Sequence, residues 1–124
     1  MKKNLLIFLI CLSSCKSFLF SNMEVIENVY VKDENNCVQG GTVIVSKAQL
    51  SCYKLFLSIN TPTLKLVIPD LELNSCKNYY EGKGFGEDDN IYIVRFTDIK
   101  KSRRIDINWN TNKHIIIANN DICN

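Results

Sequence analysis

The chain has a single histidine in its 124 residues and no Cys-x-x-Cys pair. A structural zinc site needs four nitrogen or sulfur ligands at close spacing, so that class is not expected. Any acid–base or Cys–His mechanism would have to run through His114. That residue opens an apolar run after a polar turn, where an exposed or capping histidine is ordinary. No segment carries an apolar stripe of period 3.6, so a helical fold is not expected either. Phosphate loops continue as Gly-Lys-Ser/Thr into a helix, and Gly82-Lys83-Gly84-Phe85-Gly86 does neither. Lys2 and Lys3 account for the whole formal excess of +2, and the chain beyond residue 14 balances at 13 basic against 13 acidic residues. Nucleic-acid binders draw affinity from a basic surface, so nucleic acid is not an expected partner.

What is present begins at the N-terminus. Met1-Lys2-Lys3-Asn4 precedes Leu5 to Leu12, eight residues without a polar side chain. A spanning helix needs about 20 apolar residues, and Lys16 interrupts any extension through Phe18-Leu19-Phe20. Two lysines and a short apolar block are the n- and h-regions of an export signal, with an uncleaved anchor as the competing reading. Leu12-Ser13-Ser14-Cys15 then resembles the lipobox of bacterial lipoproteins, and the whole segment is similar to lipoprotein signals of Bacteroidota. The resemblance covers the signal alone, and no domain family is suggested for the rest. It implies removal of residues 1–14, lipidation of Cys15, a short linker over 15–23 and one domain over 24–124. Since Lys16 rather than Asp follows the cysteine, it also implies the outer membrane.

Cys11 is discarded with that signal and Cys15 is used for lipid, which leaves Cys37, Cys52, Cys76 and Cys123. An even number in a short exported chain reads as a disulfide framework, here two bridges with three possible pairings.

Alternation and β-branched residues dominate the remaining chain. Val25–Val31 reads as a strand closed by the polar turn 33–36, and Gly40-Gly41 breaks the chain before Thr42–Val45. Leu50–Ile59 reads as a longer strand, turned at 60–63 into Leu64–Ile68 and ended by Pro69, which cannot donate to a ladder. Leu71 and Leu73 continue it only as an edge. Residues 78–90 read as a flexible glycine-rich loop. Ile91–Phe96, Ile105–Trp109 and His114–Ala118 form a three-stranded meander. Its last turn is expected to close on Asn112, since Asn tolerates positive φ. The fold class is therefore all-β, a small antiparallel sandwich or barrel.

Three features invite a ligand. Glu87-Asp88-Asp89-Asn90 holds oxygen donors but lacks the alternating spacing of calcium loops, so a solvated loop is expected. Tyr79, Tyr80 and Phe85 would form an adhesive tip on the glycine-rich loop. Lys100, Lys101, Arg103 and Arg104 form a charged turn suited to a lipid headgroup, a glycan or an acidic partner, half neutralised by Asp98 and Asp106. Trp109 alternates with Ile105 and Ile107 and is expected in the core. These features describe an uncharacterised, non-catalytic binding or structural module without a cofactor. Its expected partners are the membrane, through the anchor, and a protein or glycan. The alternative is a freely secreted, disulfide-stabilised β protein acting on host or partner proteins.

Overall fold

The computed structural model describes residues 23–47, 54–75, 79–99 and 102–124. Cys15, Cys52, Cys76, Lys100 and Lys101 lie outside them. Ten strands follow in chain order: β1 (Met23–Glu27), β2 (Tyr30–Lys32), β3 (Cys37–Gln39), β4 (Thr42–Lys47), β5 (Lys54–Asn60), β6 (Lys65–Ser75), β7 (Tyr80–Phe85), β8 (Ile91–Ile99), β9 (Ser102–Trp109) and β10 (Lys113–Ala118). They form one antiparallel sheet in the order β1-β4-β5-β6-β7-β8-β9-β10-β2-β3. No helix or second sheet is present among the described residues, so the apolar face stays dry only if the sheet curls over itself. It does so as a strongly curled half-barrel, with β8, β9 and β10 as the expected meander. Of the two expected architectures, the curl of a barrel describes it and the two-layered sandwich does not.

The two ends of the sheet are halves of one bent hairpin. β1 pairs β4 from Met23 opposite Ser46 to Glu27 opposite Thr42, and β2 pairs β3 in the same continuing register. Between them the Asn28 amide donates to the Gly41 carbonyl at 2.9 Å, and the Gly40 amide to the Val29 carbonyl at 2.8 Å. Asn28 (φ 53°), Gly40 (φ 140°) and Gly41 (φ 85°) make the bend. The left-handed region suits glycine and is tolerated by asparagine. The expected single strand Val25–Val31 is thus divided at Asn28. One half of the hairpin joins β5, and β2 in the other half joins β10.

The expected loop over 78–90 is corrected by β7, which lies inside the sheet between β6 and β8. Its glycines recur at every second residue and face the core. A Cβ on Gly82 would sit 2.6 Å from both the Glu72 carbonyl oxygen and Leu73 Cδ2. One on Gly84 would sit 2.7 Å from the Asp70 carbonyl oxygen and 2.8 Å from Ile68 Cγ2. β7 therefore presents bare backbone inward, and Ile68 and Leu73 of the neighbouring strand fill the space.

Pro69 is a second correction. β6 runs through it, because one extra residue bulges between Ile68 and Leu71 opposite Leu57 and Leu55. Pro69 and Asp70 both point outward there, and a bulge is where a strand tolerates a missing donor. Val43, Leu55, Leu57, Ile68, Leu71, Val94 and Ile107 are fully shielded in one continuous core. The turn after β9 is a smaller correction: positive φ falls on Asn110 (49°) rather than on Asn112.

Cys123 is bonded to Cys37 across 86 residues of chain, so the C-terminal segment is tied to β3. In the chain-entropy account a loop of this length contributes about 4–5 kcal/mol.

Two outcomes follow from the packing. Gly84→Ala should lower the thermal midpoint by more than about 4 °C, since overpacking costs roughly 1–3 kcal/mol in a domain of this size. An unchanged midpoint in a thermal melt would contradict the tight β6–β7 approach. Non-reducing peptide mapping should recover a Cys37–Cys123 peptide; free thiols at both positions would contradict the bridge.

Candidate binding surface

Because Gly82 and Gly84 face inward, the residues that alternate with them crowd the outer face. Tyr79, Glu81, Lys83 and Phe85 alternate there, and β8 answers with Ile91, Ile93 and Arg95. Phe85 stands directly opposite Ile91, Lys83 opposite Ile93, and Glu81 opposite Arg95. Phe85, Ile91 and Ile93 are 62%, 49% and 41% exposed, although each belongs to a well-paired strand. Scattered apolar exposure is ordinary, but three such side chains clustered on neighbouring strands form a patch. A shallow groove beside it is lined by Pro69, Asp70, Glu72, Lys83, Phe85 and Ile91.

Charged groups frame the patch. The Arg95 guanidinium lies 4.1 Å above the Tyr79 ring and 3.5 Å from the Glu81 carboxylate. Arg104 donates twice to Asp106, at 3.2 Å each, and His114 Nε2 is 3.5 Å from the same carboxylate. This arrangement, apolar at the centre and polar at the rim, is that of a protein-contact surface.

Of the residues expected to bind, Tyr79 and Phe85 lie on this face, Phe85 on the strand β7 rather than at a loop tip and Tyr79 just before that strand begins. Tyr80 lies on the opposite face of β7, partly buried against the core. The expected charged turn is corrected as well, since Arg103 and Arg104 belong to β9 and the two-residue period sends them apart. Arg104 points outward to Asp106, whereas Arg103 Nε donates to Glu24 Oε1 of β1 at 3.1 Å. That last contact joins two strands that are not sheet neighbours. Sequence reasoning missed Ile91 and Ile93, because Ile91-Tyr92-Ile93-Val94 is apolar on both faces.

The acidic turn between β7 and β8 binds to itself. The Asp88 carboxylate accepts from the Asn90 amide at 3.2 Å, from Asn90 Nδ2 at 3.1 Å and from the Tyr92 hydroxyl. Among the described residues no group of three His, Cys, Asp or Glu is placed to hold a metal. Trp109 packs half-buried against the core, 5.4 Å from the Tyr92 ring centre.

The bond from the Tyr92 hydroxyl, aided by the Asn90 amide, holds the Asp88 carboxyl below its ordinary value. Burial first, and then that same bond, pushes the Tyr92 hydroxyl up to about 12. A depressed carboxyl stabilises the fold above its unfolded pKa of about 4 and loses that contribution as pH falls through the folded value. A raised phenol stabilises it below about 10 and loses the contribution as pH rises through about 12. Tyr92→Phe should therefore flatten the stability profile at both ends, as read by urea unfolding from pH 2 to 12. A profile superimposable on the wild type would contradict the pairing.

No protein-family model, curated protein sequence or solved structure matches the chain.

Proposed function

We propose that the chain is a lipid-anchored binding module of a bacterial envelope, held at the outer membrane through Cys15 and engaging a protein partner through the outer face of β7 and β8. The observation that carries the binding part is the Phe85–Ile91–Ile93 patch on paired strands. The glycine-backed β7 holds it rigidly, so a partner pays little ordering cost on contact. The export part is supported by the signal and lipobox pattern, and by the Cys37–Cys123 bridge, a bond that persists in oxidising compartments. A glycan partner is less favoured, because the cluster has a single aromatic ring at its exposed centre.

Metabolic labelling with palmitate tests the anchor: label should appear on the wild-type chain and vanish in Cys15→Ser. Unlabelled wild-type protein in the medium would contradict it and favour free secretion. For the surface, Phe85→Ser with Ile93→Thr should stay within about 1 kcal/mol of wild-type stability, as exposed substitutions do. The pair should abolish the partner cross-link formed by the wild-type chain in intact cells. Cross-linking that survives the pair would locate the contact elsewhere.

A further inference from the structure

The turns after β2 and β9 meet at one end of the sheet. β2 pairs β10 with Lys32 opposite Ile116, so Asp33 and Glu34, the next residues along, pass beside the start of β10. A cavity of about 280 Å³ lies there, lined by Asp33, Glu34, Trp109, Asn112, Lys113 and Ile115 among others. That volume is at the lower end of the range for ligand sites and suits one small headgroup. The cavity contains none of Phe85, Ile91 and Ile93, so it is a second site rather than part of the β7–β8 patch.

The indole reaches the cavity because of its place in β9. Trp109 follows Ile105 and Ile107 in the inward alternation, and stands opposite Lys113 across the turn. The two isoleucines are buried, whereas Trp109, last in the strand, is only half-buried and forms part of the cavity wall. Two carboxylates share that wall. Asp33 Oδ1 accepts from the amides of Asn35 and Asn36 at 2.8 and 2.7 Å, which fixes the turn and leaves Oδ2 facing no donor among the described residues. Glu34 forms no ion pair among the described residues, and neither does Lys113. His114 also borders the cavity, but its Nε2 is engaged 3.5 Å from Asp106.

These groups select by charge. An anion would meet two carboxylates against one lysine, and a metal ion would lack a set of three ligands. A neutral sugar would gain nothing from the unpaired charges. A cation gains from both the carboxylates and the ring face, and tryptophan is the best of the aromatic partners for one. An alkylated ammonium also gives up its hydration more readily than a compact lysine-type ammonium. We propose that this cavity binds an alkylated ammonium group, with Trp109 supplying the ring face and Asp33 and Glu34 the counter-charge. Where the group belongs to a lipid headgroup, Lys113 is placed to meet its phosphate. The site stands apart from the proposed protein contact, and neither depends on the other.

Trp109 is the only tryptophan of the chain, so its fluorescence reports on the cavity directly. Choline chloride is titrated into the full chain, in a detergent that carries no ammonium group, with sodium chloride at equal ionic strength as the reference. Emission should change saturably with choline alone. Dimethylbutanol, the neutral isostere of choline, should bind roughly tenfold more weakly. Asp33→Asn keeps an acceptor oxygen for the turn and removes only the charge. It and Glu34→Gln should each weaken choline about threefold, as partly exposed charge pairs do. Phosphocholine binding tighter than choline, with the gain lost in Lys113→Gln, supports the site and identifies a lipid headgroup as the source. Equal binding of the two supports it with a free amine as the source. Emission unmoved by choline, an equal response to the isostere, or wild-type affinity in both carboxylate variants overturns the proposal. A saturable response to methyl glucoside with none to choline overturns it in favour of a sugar.

Discussion

The apolar face of this sheet has no helix or second sheet to cover it among the described residues, so Val43, Leu57, Ile68, Val94 and Ile107 are kept dry only by one another. A flat ten-stranded sheet would be roughly 45 Å wide at about 4.8 Å per strand, with its apolar side in water. Every local departure from regular strand geometry serves to prevent that. The hairpin bends at Asn28, Gly40 and Gly41, so that residues 23–32 pair with β4 at one end of the sheet and β10 at the other. Bare backbone at Gly82 and Gly84 lets β6 and β7 approach closely, and the bulge at Pro69-Asp70 bends β6 beside them. The Arg103–Glu24 contact joins β9 to the end strand β1, which is not its neighbour in the sheet.

The same constraint shapes the outer surface. A strand that gives its inward positions to glycine concentrates its large and charged side chains outside. β7 therefore supplies Phe85, Lys83 and Glu81 to one face, with Ile91, Ile93 and Arg95 alongside. The turn joining the two strands is fixed by the Asp88–Tyr92 bond, whose phenol end lies beside Trp109 against the core. Packing and the candidate surface are thus two sides of one hairpin.

Much of this was legible in the residues, and the exceptions share a cause. The meander, the polar turn at 33–36 and the Gly40-Gly41 break all follow from local chemistry. β7 was hidden because glycine at two of its three inward positions, with Tyr80 at the third, leaves no apolar alternation to read. Pro69 reads as a strand end unless the bulge is known, and a bulge depends on the partner strand. Arg103 and Arg104 look like one charge cluster until the strand period separates them. For the surface, Phe85 and Tyr79 stood out as aromatics. Ile91 and Ile93 did not, since choosing between Tyr92-Val94 and Ile91-Ile93 as the core face requires the curl itself.

The central claim is that one bent hairpin belongs to both ends of the sheet. Nuclear Overhauser contacts in a monomeric sample test it most directly. The account predicts backbone contacts between Val25 and Ile44 and between Val31 and Ile117 in the same molecule. Finding the first without the second would mean that the sheet does not return on itself, and would contradict it.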